Sequence, residues 1–367
     1  MRVLMVSKAC VVGVYQTKLE ELARLPDVDL TVVVPPHWRD AGGVIPLERL
    51  HTTGYELAVE PMVLNGNFHL HFYPGLGRQV RRVLPDLVHI DEEPYNLATA
   101  HALWLARRSG AKSLFFSWQN IQRRYPLPFR LLERYVLNRA DHGIVGNKES
   151  AGVWRAKGYA GPLDIIPQVG VDPQLCRPTA APREDGHLVV GVVGRLVEER
   201  GVDLLLVALV GLPGSCEARI AGSGPEEARL RSLAHELGLV GRVAFAGKIP
   251  TAQMPEFYHR LDVLVLPSRT RPNWKEQFGR VLVEAMACGV PVIGSDSGEI
   301  PHVAGDAGLI FTEGQVDALR ACLAKLVDKP ELRANLGRQG RERVLAHYTQ
   351  AQIADRTYQV YRSMLRA

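Results

Sequence analysis

The sequence has no apolar run of the roughly 18 to 20 residues that a bilayer crossing needs, and its opening Val3–Val6 run is too short for a secretory signal core. A cytoplasmic chain is therefore expected. Cysteine is scarce and scattered: five residues, Cys10, Cys176, Cys216, Cys288 and Cys322, form no C-x-x-C pair and have no histidine at metal-ligand spacing. That excludes a disulfide framework and a zinc module, and leaves free thiols in a reducing compartment. Charge of one sign is also modest, with 44 Lys and Arg against 39 Asp and Glu, a net +5. Such an excess suits anionic small ligands or an anionic surface and is too small to point to nucleic acid.

What is present is ordinary globular material. The 367 residues are 46% apolar and 23% charged, and at roughly 150 residues per domain they make two domains and a remainder. Short β-branched runs alternate with amphipathic stretches from end to end, the pattern of parallel strands joined by crossover helices. In the first half, strands are expected at Val3–Val6, Leu30–Val34, Leu87–Ile90, Ser113–Phe116 and Gly143–Val145, with helices at Gln16–Arg24, Asn96–Arg108 and Phe129–Asn138. Residues 35–75, rich in Pro, Gly and His, read as loops and short antiparallel strands. Pro162, Pro167, Pro173, Pro178 and Pro182 mark an interdomain connection. The rhythm restarts with strands at Leu188–Val193, Ala218–Ala221, Val243–Phe245, Val263–Leu266 and Val290–Ile293, and helices after Gly201, Gly224, Met254, Gly279 and Gly314. The expected domains are 1–182 and 183–348, followed by an amphipathic tail helix in 349–367.

Ligands of open α/β sheets sit beyond the carboxyl ends of the strands, so the loops there carry the chemistry. After Val193 comes Gly194-Arg195-Leu196-Val197-Glu198-Glu199-Arg200-Gly201. Arg195 and Arg200 beside backbone N–H groups fit a diphosphate clamp; the spacing fits equally well a solvated pairing with Glu198 and Glu199. Gly222-Ser223-Gly224 follows the next strand and permits close approach to the backbone, as any tight glycine turn does. The segment from Pro267 to Glu284 is the most specific. Gly279 opens a helix, and Glu276 and Glu284, eight residues apart, stand before it and about two turns in. Carboxylates accept from sugar hydroxyls, while a plain surface role for Glu284 fits the same spacing.

These residues, with Gly247-Lys248, Pro267-Ser268, Glu276-Gln277-Phe278-Gly279 and Glu284-Ala285-Met286-Ala287-Cys288-Gly289-Val290-Pro291-Val292, resemble the retaining glycosyltransferases of family four. The likeness is close over residues 186–310 and weaker before. It implies a GT-B fold, in which two Rossmann-like domains face each other across a cleft and the last helix crosses back to the first. It also implies transfer of a hexose-type sugar from a nucleotide-sugar (NDP-sugar) donor, in polysaccharide or glycoconjugate synthesis. Glu276, Arg195 and Arg200 would be the catalytic residues: the arginines on the diphosphate, Glu276 on the donor sugar. Gly13, Gly194, Gly222, Lys248, Ile249, Phe278, Gly279, Arg280, Val281 and Glu284 would bind the donor, Glu284 at the ribose. No cofactor or metal is expected. Retention with no evident nucleophile implies front-face attack, the leaving phosphate taking the acceptor proton. A non-catalytic donor-binding homologue and another GT-B activity, such as a sugar-nucleotide epimerase, are the alternatives.

Two departures from the family stand out: Arg200 where a lysine is usual, and Ser117-Trp118-Gln119-Asn120 where a histidine often stands. Tyr15, Gln119, Asn120 and Arg123 are assigned to an unidentified acceptor. Between His71 and Arg139 basic residues outnumber acidic ones by eleven to five. Tyr125, Phe129, Leu132 and Tyr135 interleave with the later arginines. Docking on the inner face of an anionic membrane, toward a lipid-linked acceptor, and a solvated helix face are equally compatible with that pattern.

Overall fold

The computed structural model describes residues 1–40, 42–178 and 188–366. They form two compact units, Met1–Gly170 with Gln350–Ala367, and Val171–Thr349. The expected boundary at 182/183, and Pro182 with it, lies outside the described residues.

The first unit contains β1 (Arg2–Val6), β2 (Asp29–Val34), a hairpin of β3 (His37–Asp40) and β4 (Gly43–Pro46), then β5 (Glu56–Val59), β6 (Leu87–Ile90), β7 (Lys112–Ser117), β8 (His142–Val145) and β9 (Leu163–Ile165). Seven of these make one parallel sheet in the order β5-β2-β1-β6-β7-β8-β9. The second unit contains β10 (Leu188–Val193), β11 (Cys216–Ala221), β12 (Val243–Gly247), β13 (Val263–Leu266), β14 (Val292–Ser295) and β15 (Gly308–Phe311), parallel in the order β12-β11-β10-β13-β14-β15. Helices cover both faces, so the central strands are apolar without alternation; β6 and β13 are buried at every residue. Both sheets are doubly wound. The strand order reverses between β1 and β6 and between β10 and β13, and those two points are where loops diverge and leave room for a ligand.

Two expectations are corrected. Residues 35–75 do form an antiparallel hairpin, but Glu56–Val59 pairs parallel with β2. Leu163–Ile165, inside the proline-rich connection, adds a seventh strand on β8. Both strands are only partly buried and carry no continuous apolar run, so the neighbouring strand decides their state.

The tail helix, Gln350–Arg366, belongs to the first unit and packs on the helix Thr17–Ala23. Ile353, Tyr361 and Met364 enter the core with Leu19 and Leu22. The Tyr361 hydroxyl shares a 2.6 Å hydrogen bond with His89 Nδ1, and Tyr358 donates to Asp27 at 2.6 Å. Burial, with Lys18 nearby, holds His89 neutral, its pKa well below the ordinary histidine value.

Candidate functional site

In the second unit the switch point brings together residues far apart in sequence. β10 ends at Val193 and runs into Gly194, and a short 3-10 turn, Glu198–Arg200, leads into the helix Val202–Val210. β13 ends in Pro267-Ser268, and its loop returns through Glu276 to the helix Arg280–Ala287, capped by Gly279. Across this junction Arg200 Nη1 donates to Glu276 Oε2 at 2.8 Å. The same carboxylate accepts from Ser268 Oγ at 3.2 Å and from the Gly279 N–H at 3.2 Å. Glu276 is thus an oriented acceptor at the carboxyl edge of the sheet. Arg200 leans on Gly194, faces the Trp274 ring at 5.9 Å, and keeps a buried Nε with no hydrogen-bond partner among the described residues. A buried guanidinium donor left over in this way suits an anion.

The pairing of Arg195 and Arg200 with Glu198 and Glu199 does not occur. Arg200 binds Glu276, Glu198 binds Arg271, and Arg195 is exposed with no side-chain partner among the described residues.

The glycine turn after β11 is a structural requirement. Gly222 has φ +145°, and a Cβ there would lie 1.8 Å from the Gly194 carbonyl oxygen. Its N–H donates to the Gly247 carbonyl at 2.8 Å, while the Gly194 N–H donates to Ala221 at 3.0 Å. Gly194, Gly222 and the exposed Lys248 with Ile249 therefore end adjacent strands at one edge. Glu284, second turn of its helix, is buried rather than on the surface: Tyr258 donates to Oε2 at 2.6 Å and Arg280 Nε to Oε1 at 2.7 Å. Phe278 is buried, its ring 5.8 Å from that of Tyr348, and Val281 is partly exposed. The loop after β14 was missed in the sequence. Gly298, φ +57°, packs on Glu276, with a Cβ position 2.0 Å from its carbonyl oxygen, and Ser295 Oγ donates to the Ser268 carbonyl at 2.6 Å.

The first unit's switch point is acidic. Asp91, Glu92 and Glu93 follow β6. Ser7 donates to Asp91 at 2.6 Å, and buried Glu92 pairs with Lys8 and lies 3.4 Å from His71 Nε2. Lys8 Nζ stands over the Trp38 and Phe68 rings at 5.4 and 4.8 Å. Burial alone would raise the pKa of Glu92, but Lys8 and His71 outweigh it and bring it down to about 2. Burial dominates at Glu93, pushed up to about 7. None of this was legible, because no motif links Lys8 or His71 to Glu92.

Among the acceptor assignments, Gln119 and Asn120 are buried. Gln119 donates to the Ile121 carbonyl at 3.0 Å and accepts from Tyr125 at 3.4 Å. Tyr15 is half-buried and Arg123 exposed. Gly13 gives its N–H to Glu48 Oε2 at 2.6 Å. Tyr125, Leu132 and Tyr135 pack on the core, and Phe129 lies 4.8 Å from the His69 ring. The apolar residues facing out among the arginines are Leu127 and Leu131, 60% and 57% exposed.

Residues 179–343 match the family described as glycosyl transferases group 1. The chain is 33% identical over 208 residues to the GDP-mannose-dependent alpha-(1-6)-phosphatidylinositol monomannoside mannosyltransferase of Mycobacterium tuberculosis, covering 53% of this chain and 54% of that one. It thus spans about half the length of that relative. It is 30% identical over 306 residues to the 2-deoxystreptamine N-acetyl-D-glucosaminyltransferase of Streptomyces fradiae, covering 72% and 70%. The crystal structure of Anabaena HepE in complex with UDP superposes with a TM-score of 0.77 at 19% identity, over 99% of this chain and all of that one. The fold is therefore GT-B.

Proposed function

We propose that this chain, which belongs to the group 1 glycosyl transferases, moves a hexose-type sugar from a nucleotide-sugar donor to an acceptor hydroxyl in glycoconjugate biosynthesis. The observation that carries the proposal is the Arg200–Glu276 contact of 2.8 Å at the second unit's switch point, an anion-binding cation and an oriented hydroxyl acceptor side by side. In this reading Arg195, Arg200 and Lys248 take the diphosphate, and Gly194, Gly222, Ile249, Phe278, Gly279, Arg280 and Val281 frame the nucleotide and sugar. Glu284, held by Tyr258 and Arg280, accepts from the ribose.

Transfer is read as retaining and independent of metal. Glu276 already accepts from Arg200, Ser268 and Gly279, which supports a role in orienting sugar hydroxyls and argues against its attacking carbon. The bond from the anomeric carbon to the diphosphate oxygen breaks as the acceptor oxygen bonds to the same face, and the acceptor proton passes to the departing phosphate. The two arginines stabilise the charge that accumulates there.

Acceptor recognition is assigned to the first unit, with Tyr15, Gln119, Asn120 and Arg123. Exposed Leu127 and Leu131 among Arg123, Arg124, Arg130 and Arg134 support peripheral contact with an anionic membrane on its cytoplasmic side. No helix among the described residues is long and apolar enough to cross a membrane.

The test is nucleotide release from a panel of UDP-, GDP- and ADP-sugars, with 2-deoxystreptamine or phosphatidylinositol vesicles as acceptor. Acceptor-stimulated release from at least one donor is expected, and no release from any donor with any acceptor contradicts the reading. Equal co-sedimentation with neutral and anionic vesicles would remove the membrane contact alone.

A further inference from the structure

Of the three carboxylates that follow β6, Glu92 pairs with Lys8 and Asp91 accepts from Ser7 and Gln168, whereas Glu93 makes its hydrogen bonds elsewhere. Its side chain crosses to the end of the next strand. Oε2 accepts from Ser117 Oγ at 2.5 Å and Oε1 from the Trp118 N–H at 2.8 Å. Ser117 Oγ in turn accepts from the Gln119 N–H at 3.0 Å. One carboxylate thus holds three successive residues of the turn that presents Gln119 and Asn120. The chain on its own side is anchored too, since the Glu93 carbonyl accepts from Thr99 Oγ1 at 2.7 Å and from the Asn96 N–H at 3.0 Å.

We propose that Glu93 is a positioning residue for acceptor recognition, setting the Ser117–Asn120 turn through the two hydrogen bonds its carboxylate accepts. The proposal rests on the transferase reading above and names the element that gives the acceptor side its geometry. An ionised carboxylate accepts at both oxygens, whereas a protonated one must donate at one of them. If Oε2 carries the proton, Ser117 Oγ becomes an acceptor twice over, and its own hydrogen loses the carboxylate. The charged and titratable groups around Glu93 are Lys8, which favours its ionised form, Glu92, which opposes it, and the phenols of Tyr95 and Tyr125. Burial outweighs Lys8, and the exchange of states falls near neutral pH. Above that point the turn is fixed; below it the turn is loosened and the acceptor binds more weakly.

The experiment follows the full-length chain from pH 6 to 8 in two ways. Amide hydrogen exchange of the 117–120 peptide, corrected for intrinsic rates, needs no substrate. The KM for whichever panel acceptor supports transfer is measured alongside kcat. In the wild type, protection of the turn should rise and acceptor KM fall with pH. Glu93→Gln keeps the shape but cannot ionise. It should remove both steps and raise acceptor KM at pH 8 by about threefold to tenfold, the size of one net hydrogen bond, with kcat changed less than about twofold. Ser117→Ala, which deletes the hydroxyl relay alone, should flatten the exchange step in the same way if the glutamine variant folds poorly. A flat wild-type exchange profile, or a step that survives in both variants, overturns the proposal. So does a step in exchange with an acceptor KM that ignores pH. A clear exchange step in a chain that transfers from no donor contradicts the transferase reading and with it the acceptor role of the turn, so the two failures are distinguishable.

Discussion

The two sheets share one strand order and differ in what stands at their switch points. At the second, β10 and β13 end in glycines, Arg200 and one oriented carboxylate. At the first, β1 and β6 end in Ser7, Lys8 and three consecutive acids, closed over by Trp38 and Phe68. The topology supplies a crevice in each case, and the side chains decide what enters it. Backbone N–H groups, glycine turns and spare guanidinium donors suit a nucleotide diphosphate. A row of carboxylates whose donors come from their own unit suits a neutral, hydroxyl-bearing partner and repels a second phosphate.

Removing one carboxylate from each site should separate the two switch points most sharply. Glu276→Ala should lower turnover roughly 10²- to 10³-fold, the usual scale for losing a group that orients or stabilises the reacting centre, with circular dichroism unchanged. Glu92→Gln should act on stability, because it leaves the mostly covered Lys8, its side chain 13% exposed, without its counter-ion, at a cost of about 3 kcal/mol in urea unfolding at pH 7. If Glu92→Gln abolished turnover while keeping full stability, the division of labour between the two points would be wrong.

Backbone geometry gives a second contrast. Gly222→Ala forces a Cβ against the Gly194 carbonyl, 1.8 Å away, at φ +145°. Stability should fall by about 2 kcal/mol or more, with nucleotide affinity lost alongside. Gly110→Ala, also at positive φ but with nothing within 4 Å, should cost only about 1 kcal/mol and leave affinity intact.

The acid limb sharpens the first unit. Glu92 has its pKa depressed to about 2 in the folded chain against an ordinary carboxylate value of 4.5. Its contribution is complete above pH 4.5 and disappears as pH falls toward 2. Glu93 has the opposite sign: raised to about 7, it favours the folded state when protonated, and that contribution is lost as pH rises from about 4.5 to 7. The stability gap between wild type and Glu92→Gln should therefore close between pH 4.5 and 2, and a constant gap would contradict the ion pair. The smallest effect is expected at exposed Arg195. Arg195→Ala should leave stability within about 0.5 kcal/mol while weakening nucleotide binding about tenfold, as loss of one charge-assisted contact does.

The comparison also explains what could be read from the sequence. The second unit's site is written in short segments, so Gly194-Arg195, Gly222-Ser223-Gly224 and Glu276 to Glu284 were legible from spacing and resemblance. Their strands were too, because long buried strands carry continuous apolar runs. The contact from Arg200 to Glu276, 76 residues apart, was not, since spacing along the chain says nothing about which arginine crosses to which acid. The first unit's site is built almost wholly of such contacts: Lys8 to Glu92, His71 to Glu92, Glu93 to Ser117. Hence Gln119 was singled out as a candidate from its place after a strand, while Glu93 behind it went unseen. Leu163–Ile165 and Glu56–Val59 escaped for the related reason that their partners, not their own residues, make them strands.

The central claim is that the second unit's switch point takes a nucleotide diphosphate through Arg200. Calorimetric titration of the full chain with UDP and GDP, wild type against Arg200→Ala, tests it most directly. Saturable binding of at least one nucleotide, weakened by about 10- to 100-fold in the variant, is the predicted result; binding of equal strength in both proteins, or no binding of either nucleotide to the wild type, would contradict it.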